Sequence, residues 1–419
     1  MRLLLLLLFM TLSTSLSAVE FDVYQSEYRP LNIALIVDSD AKQQSEKRQL
    51  YSVVKNDLRS SQSFKILDPL SFIADTASTM VKIDYADWRI IGADLIATCQ
   101  LTDMDQKWQA EVKVYDPFRS KQLASMRFTR DANEFRVLSH QVSDFIYQTV
   151  IGVHGHFNTQ ILYVKKRGDK ADLIYMDQDG ANRQTVGKNF TLLLSPDWAP
   201  NGRFVALNTY VGNRPRLETF DMKTGKRSAF GSFKGLNSTP EYSPDGRYIA
   251  AALSYTGNAE IHIYDIQSRK WRQFTNHPGI DTTPTWSPDG KWLAFTSNRN
   301  GSPQIYRKKL SGGKAERISL EASYNTSPVW APHGDRIAFI TLKNWEYALA
   351  TVHIDGSGLR YLATGQRVES PSWSPNGQML LYSAGNRGIR RIYRIPAWGG
   401  KAEPITPANI DASDPAWSR

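Results

Sequence analysis

A thirteen-residue unit recurs five times along this 419-residue chain, and no other feature constrains the fold as much. The copies are "SPDWAPNGRFVAL" from Ser195, "TPEYSPDGRYIAA" from Thr239, "TPTWSPDGKWLAF" from Thr283, "SPVWAPHGDRIAF" from Ser327 and "SPSWSPNGQMLLY" from Ser370. Their glycines, Gly202, Gly246, Gly290, Gly334 and Gly377, are spaced 44, 44, 44 and 43 residues apart. A period in the low forties matches a four-stranded propeller blade. Each residue type has a mechanical task. Pro288 presets φ at the second turn position, Asp289 can bond nearby backbone, and Gly290 accepts the positive φ that closes a hairpin. Trp286 offers a large ring to the neighbouring blade, and "KWLAF" alternates as a half-buried strand does.

Behind each unit comes a second pair of strand signals around a polar turn, such as "IHIYDIQSRKWRQF" and "LATVHIDGSGLRYL". A sixth copy, "QILYVKKRGDKADLIYMDQDGANRQTV" from Gln160, lacks its own leading strand. The last residues, "DASDPAWSR", restart the unit, with Trp417 following Trp373 by 44 residues. A first blade short of one strand and a lone strand at the far end are complementary. Six blades are therefore expected, closed by the C-terminal strand, which removes the exposed edges of an open array.

Residues 31–152 lack the repeat. "LNIALIV" from Leu31 reads as a buried strand, and the stretch from Gln43 carries Leu50, Val54 and Leu58 at helical spacing. "FKIL", "IIGADLIATCQL", "QAEVKVYD" and "KQLASMRFTR" read as strands. The stretch from Asn133 reads as an amphipathic helix with Phe135, Leu138, Val142, Phe145 and Ile146 on one side. The expected architecture is a small N-terminal α/β domain over residues 31–152, a hinge at "GVHGHFN" from Gly152, and a six-bladed β-propeller over residues 153–419.

"MRLLLLLLFMTLSTSLSA" has the cationic start, apolar run and small residues of a secretory signal peptide over residues 1–18. The run is far short of the ~20 residues that span a bilayer, and no other stretch could cross one. The single Cys99 leaves no internal disulfide, so an exported chain must hold its fold by packing. Residues 19–30 read as a flexible N-terminal segment. The net charge of +10 is scattered among acids with no basic run, which speaks for a solvated surface and against nucleic acid. The expected location is the periplasm, with no direct membrane insertion.

Motifs for chemistry are sparse. No G-x-S-x-G elbow occurs, and "MKTGKRS" has Phe220 where a phosphate loop needs its first glycine. Of the seven histidines only His154 and His156 lie close together, and they lack a third ligand. "DQDGAN" from Asp177 has the acids of a calcium loop without its bidentate Glu, so a turn is favoured. Asn201, His333 and Asn376 replace the acid of "SPDG", a change that a turn tolerates and a catalytic acid would not. No enzyme and no cofactor are expected. The rivals are a secreted propeller enzyme, a glycan lyase or hydrolase working at the channel, and a small-ligand-binding propeller.

The signal peptide, the small α/β domain, six "PxWSPDGxxLAF"-type blades, the joint "IGVHGHFNTQILYV" and the ending "DPAWSR" together resemble the TolB family of the bacterial Tol-Pal system over the whole chain. The resemblance implies a non-enzymatic periplasmic adaptor that binds the peptidoglycan-associated lipoprotein Pal through one propeller face and communicates with TolA through its N-terminal segment. It also implies a role in outer-membrane integrity and in invagination during cell division, import of bacteriocins that exploit the system, and other envelope lipoproteins as further partners. The TolA segment corresponds to Val19, Glu20, Phe21, Asp22, Val23 and Tyr24. The Pal-facing loops correspond to Leu236 and Asn237, Asp281 and Thr282, and Asn325 and Thr326. Thr282 matches a family position implicated in Pal binding, and Leu236 stands where better-known members carry His.

Overall fold

The computed structural model describes residues 29–39, 43–386 and 388–419. The signal peptide and the segment Val19–Tyr24 lie outside the described residues.

The first domain is a mixed five-stranded sheet. Its elements run β1 (Leu31–Ser39), α1 (Gln44–Ser60), β2 (Phe64–Ile66), α2 (Thr76–Val81), α3 (Tyr85–Ile90), β3 (Leu95–Asp103), β4 (Lys107–Asp116), β5 (Lys121–Asp131) and α4 (Phe135–Ile151). The strand order is β2-β1-β3-β4-β5, with β1 parallel to both neighbours and β4 and β5 antiparallel. β1 reads as a continuous apolar run because both its faces are covered. Ile33, Leu35 and Val37 meet Leu50, Val54 and Leu58 of α1 and Leu138, Val142 and Ile146 of α4, whereas Ala34 and Ile36 meet Trp88 of α3. The strand expected from Ile90 instead begins at Leu95, because Ile90 ends α3. Asp84 caps that helix by accepting from the Ala86 N–H, and Asp75 caps α2 by accepting from Ser78 N–H. Cys99 is fully buried on β3, and burial pushes its thiol up to about 12. Among the described residues no helix is long and apolar enough to cross a membrane.

The second domain is a ring of six four-stranded sheets. The inner strands of blades two to six are Leu193–Trp198, Asn237–Tyr242, Asp281–Trp286, Asn325–Trp330 and Val368–Trp373, the repeated units of the sequence. Blade one takes its inner strand, Asp411–Trp417, from the far end of the chain, paired antiparallel with Gln160–Arg167. The expected closure is therefore observed. Gly290 adopts φ +67° in its turn, and Asp289 accepts from Lys291 N–H.

Two features lock blade to blade. The indole N–H of Trp286 donates to the Glu241 carbonyl (3.1 Å), that of Trp373 to Val329 (3.1 Å) and that of Trp198 to Ala416 (3.2 Å). Backbone N–H groups add a second tie: Tyr242 donates to Asp197 Oδ2, Trp286 to Glu241 Oε1, Trp330 to Thr285 Oγ1 and Trp417 to Ser372 Oγ. Trp198, Trp286 and Trp373 thus fill the gap between blades and satisfy their indole N–H there, whereas the Trp330 indole donates to Gly334 of its own blade. A further regularity lies in the backbone of the inner strands. The residue before each inner-strand proline, Ser195, Thr239, Thr283, Ser327, Ser370 and Asp414, has φ between +47° and +53°, and the ladder shifts register at that point. These are β-bulges, which bend the inner strand.

The joint between domains is packed, contrary to a free hinge. His156 is fully buried against Tyr147, Phe157 and Trp417, and its Nδ1 lies 3.2 Å from the Asn376 amide. A Cβ on Gly155 would lie 1.9 Å from Asp144 Oδ1, so only glycine allows this approach. Further inside, Asp57 of α1 is fully buried. It meets His140 Nδ1 (2.8 Å), and it accepts from Ser143 Oγ (2.7 Å), both on α4, and from Gln178 Nε2 of the ring (3.0 Å). Gln178 in turn accepts from Arg394 Nη1 (2.8 Å). Burial drives the Asp57 carboxyl upward against the pull of His140. Burial also opposes the imidazolium, but the bond and charge of Asp57 outweigh it and hold His140 above the ordinary histidine range.

Candidate protein-interaction site

Antiparallel pairing fixes which loops share a face. Asn325 pairs with Thr341 and Asp281 with Ser297, so the loops before the inner strands lie beside the hairpins joining the second and third strands. This face holds all six propeller residues expected to meet a partner, but not in one role. Asn237, Asp281 and Asn325 are fully buried. Asn237 accepts from Phe233 N–H and donates to the Phe233 carbonyl, closing its loop on itself. Asp281 is held by Arg299 Nη2 at 2.8 Å, and the Arg299 guanidinium lies over the rings of Phe295 and Tyr306. Asn325 donates to Gln304 Oε1 at 2.7 Å. In the free chain these three side chains shape the loops, because a polar group this deep needs an internal partner. Thr282 and Thr326 remain half-exposed, and Leu236 is half-buried against the core of blades three and four.

The other mouth of the channel, on the side of the "SPDG" turns, opens into a cavity of about 320 Å³ edged by Pro200, Pro244, Pro288, Pro332 and Pro375. The equivalent penultimate positions of the six inner strands are Asp197, Glu241, Thr285, Val329, Ser372 and, in the closing strand, Ala416. Only two are acids, and both are engaged. Arg419 Nη2 lies 3.3 Å from Asp197 and 4.0 Å from Glu241. Among the described residues no histidine lines this cavity, and Trp286 and Trp330 are only 4% and 8% exposed.

Burial and the neighbouring Asp197 charge push Glu241 up to about 8. The folded chain therefore holds a proton that the unfolded chain releases near the ordinary carboxylate value, so stability falls as pH rises from about 4.5 to about 8. Glu241→Gln keeps an acceptor for Trp286 N–H and Thr285 Oγ and should remove that fall. Melting curves at pH 5 and 8.5 check it: the variant should lose fewer degrees between them than the unsubstituted protein, by on the order of a few degrees. An equal loss in both would refute the assignment.

At the domain joint, His140, Asp177 and Asp179 bring ligand atoms within 4.8 Å of one another, a metal-like spacing. Arg136 already bonds Asp177 (3.1 Å) and Asp179 (2.7 Å) and reaches His140 Nε2 at 3.3 Å. One guanidinium sits where a cation would, and "DQDGAN" closes as a turn with Gly180 N–H on the Asp177 carbonyl.

Comparison with known families matches both halves of this architecture. Residues 19–123 match the TolB amino-terminal domain, and residues 147–419 match the TolB beta propeller domain. The chain belongs to the TolB family. The crystal structure of TolB from Acinetobacter baumannii superposes with a TM-score of 0.85 at 30% identity, covering 93% of this chain and 96% of that one. Among curated TolB relatives, the Tol-Pal system protein TolB of Paramagnetospirillum magneticum is 34% identical over 225 residues, 52% of this chain and 50% of that protein. That of Pelagibacter ubique is 32% identical over 233 residues, 52% of each. The chain thus spans about half the length of these curated relatives in the matched stretch.

Proposed function

We propose that this TolB-family chain is the periplasmic adaptor of a Tol-Pal system. In this reading it binds Pal through the propeller face that carries Thr282 and Thr326. It communicates with TolA through Val19–Tyr24, and it serves outer-membrane integrity and invagination during division. Bacteriocins that exploit the system would use this chain for import. The observation that carries the proposal is the pairing of a TolB amino-terminal domain with a closed six-bladed TolB propeller in one chain. Physical chemistry supports a binding role: a rigid ring with loops on one face is a platform large enough for an interface of about 800 Å² per partner. The two channel acids accept from backbone N–H groups, and Arg419 lies beside them.

The test is calorimetric titration of the mature protein with lipid-free Pal. Binding is expected, and replacing Thr282 and Thr326 together by Arg should weaken it at least tenfold by placing bulk and charge on this face. Deleting residues 19–24 should leave Pal binding intact and abolish capture of TolA. No binding of Pal at micromolar concentration would refute the adaptor reading. Unchanged TolA capture would refute the role of the segment.

A further inference from the structure

Blade five ends its second strand, Arg336–Lys343, and begins its third, Glu346–His353, with a two-residue hairpin. Its turn residues, Asn344 and Trp345, have φ of +51° and +66°. Both central positions are left-handed, an arrangement that favours Asn followed by Gly and disfavours a bulky side chain. Three other blades also make a two-residue connection here, each with a positive-φ glycine: Gly168 and Gly212 at the first turn position, that of Asn344, and Gly388 at the second, that of Trp345. Blade five alone places a tryptophan there.

Trp345 is also 97% exposed, whereas every other tryptophan is buried or half-buried. The position therefore carries two costs, an unfavourable backbone conformation and a fully hydrated indole, and glycine would remove both. Below it lie Tyr347 and Tyr324, with ring centroids 6.4 Å apart, and the Tyr324 carbonyl accepts from Leu342 N–H and Thr341 Oγ. Tyr324 leads directly into Asn325 and Thr326, so the hairpin is continuous with the face assigned to Pal. The matching hairpin tips of blades two, three and six carry Val211, Tyr255 and Ile389, all partly exposed, and Ile280 precedes Asp281.

We infer that Trp345 is an anchor for the protein partner of this face, inserting into an apolar recess about one indole wide that supplies an acceptor for its N–H. This rests on the proposed Pal-binding role and adds to it a residue that neither the repeat nor the family correspondence indicates. Exposed Trp residues that fill a partner's pocket are the commonest interface hot spots. A folded partner is favoured over a bilayer because the single ring stands between Asn344 and Glu346, both exposed and polar, and a protruding ring needs a concave counterpart.

The variants are Trp345→Gly, Trp345→Ala and Trp345→Phe in the otherwise intact mature protein, titrated with lipid-free Pal and melted in parallel. Trp345→Gly should raise the melting temperature while weakening binding at least tenfold. Trp345→Phe should bind with intermediate affinity. Binding within twofold of the unsubstituted protein would overturn the inference, and so would a lowered melting temperature for the glycine variant, which would make the indole structural. Loss of binding in the Thr282 and Thr326 double variant but not in Trp345→Gly would keep the face and discard the anchor. No binding by the unsubstituted protein would discard both. Phosphatidylglycerol vesicles that bind the unsubstituted protein but not Trp345→Gly would assign the ring to a membrane and also overturn the inference.

Discussion

A chain that stops at Ile410 should fail to form a native propeller. The strand Asp411–Trp417 gives blade one its inner edge, buries Ala412, Ala416 and Trp417, and receives the Trp198 indole on the Ala416 carbonyl. Without it, Gln160–Arg167 becomes an unpaired edge, and Trp198 loses its bond on the other side of the gap. Trp417 alone accounts for about 3–5 kcal/mol on truncation to Ala, a large part of the 5–15 kcal/mol typical of a whole protein. The truncated protein should therefore aggregate or show weak near-ultraviolet circular dichroism. A peptide of residues 411–419 added during refolding should restore part of the native signal. A truncated monomer melting within a few degrees of the full chain would show that closure contributes little.

Asp57→Ala should loosen the two domains from one another. One buried carboxylate serves His140, Ser143 and Gln178, and Gln178 carries the contact on to Arg394. Removing it takes the shared acceptor from His140, Ser143 and Gln178 in a closed space, a loss of about 3–5 kcal/mol for a buried pair broken on one side. The raised His140 value gives the pH signature. Its contribution is complete below the unfolded histidine value and disappears as pH rises through the higher folded value, so the effect of the substitution should shrink in alkaline buffer. Differential scanning calorimetry should show one transition splitting into two, with faster proteolysis between Gly152 and Thr159. A single unshifted transition would contradict this role for the cluster.

How much was legible in the sequence follows from the range of the signals. The blades were readable because turn, wedge and strand recur within thirteen residues, and the closing strand because its unit is a fragment of the same pattern. α1 and α4 were readable from apolar spacing. The short helices α2 and α3 were missed because six residues are too few to show a period, and their caps, Asp75 and Asp84, resemble ordinary loop acids. The joint was hidden because Asp57 and His140 are 83 residues apart. Its one local sign was a charge next to Leu58 on the apolar stripe of α1. Asn237, Asp281 and Asn325, which the family resemblance puts in partner-facing loops, have buried side chains, and neither the resemblance nor the repeat tells whether a polar side chain turns inward. Trp345 could have been noticed as the only non-glycine residue beside Asn in an otherwise glycine-bearing turn.

The propeller backbone is nearly the same after every sixty-degree turn, so a partner that read only backbone or the shared turns could dock at six azimuths. The hairpin tips break that degeneracy: blades two, three, five and six present Val211, Tyr255, Trp345 and Ile389, whereas the tip of blade one, at Gly168 and Asp169, offers no large apolar side chain. Side chains outside the repeat thus give a rotationally repetitive ring a single phase. Exchanging the tips of blades one and five should turn a bound partner about the channel axis rather than simply weaken it.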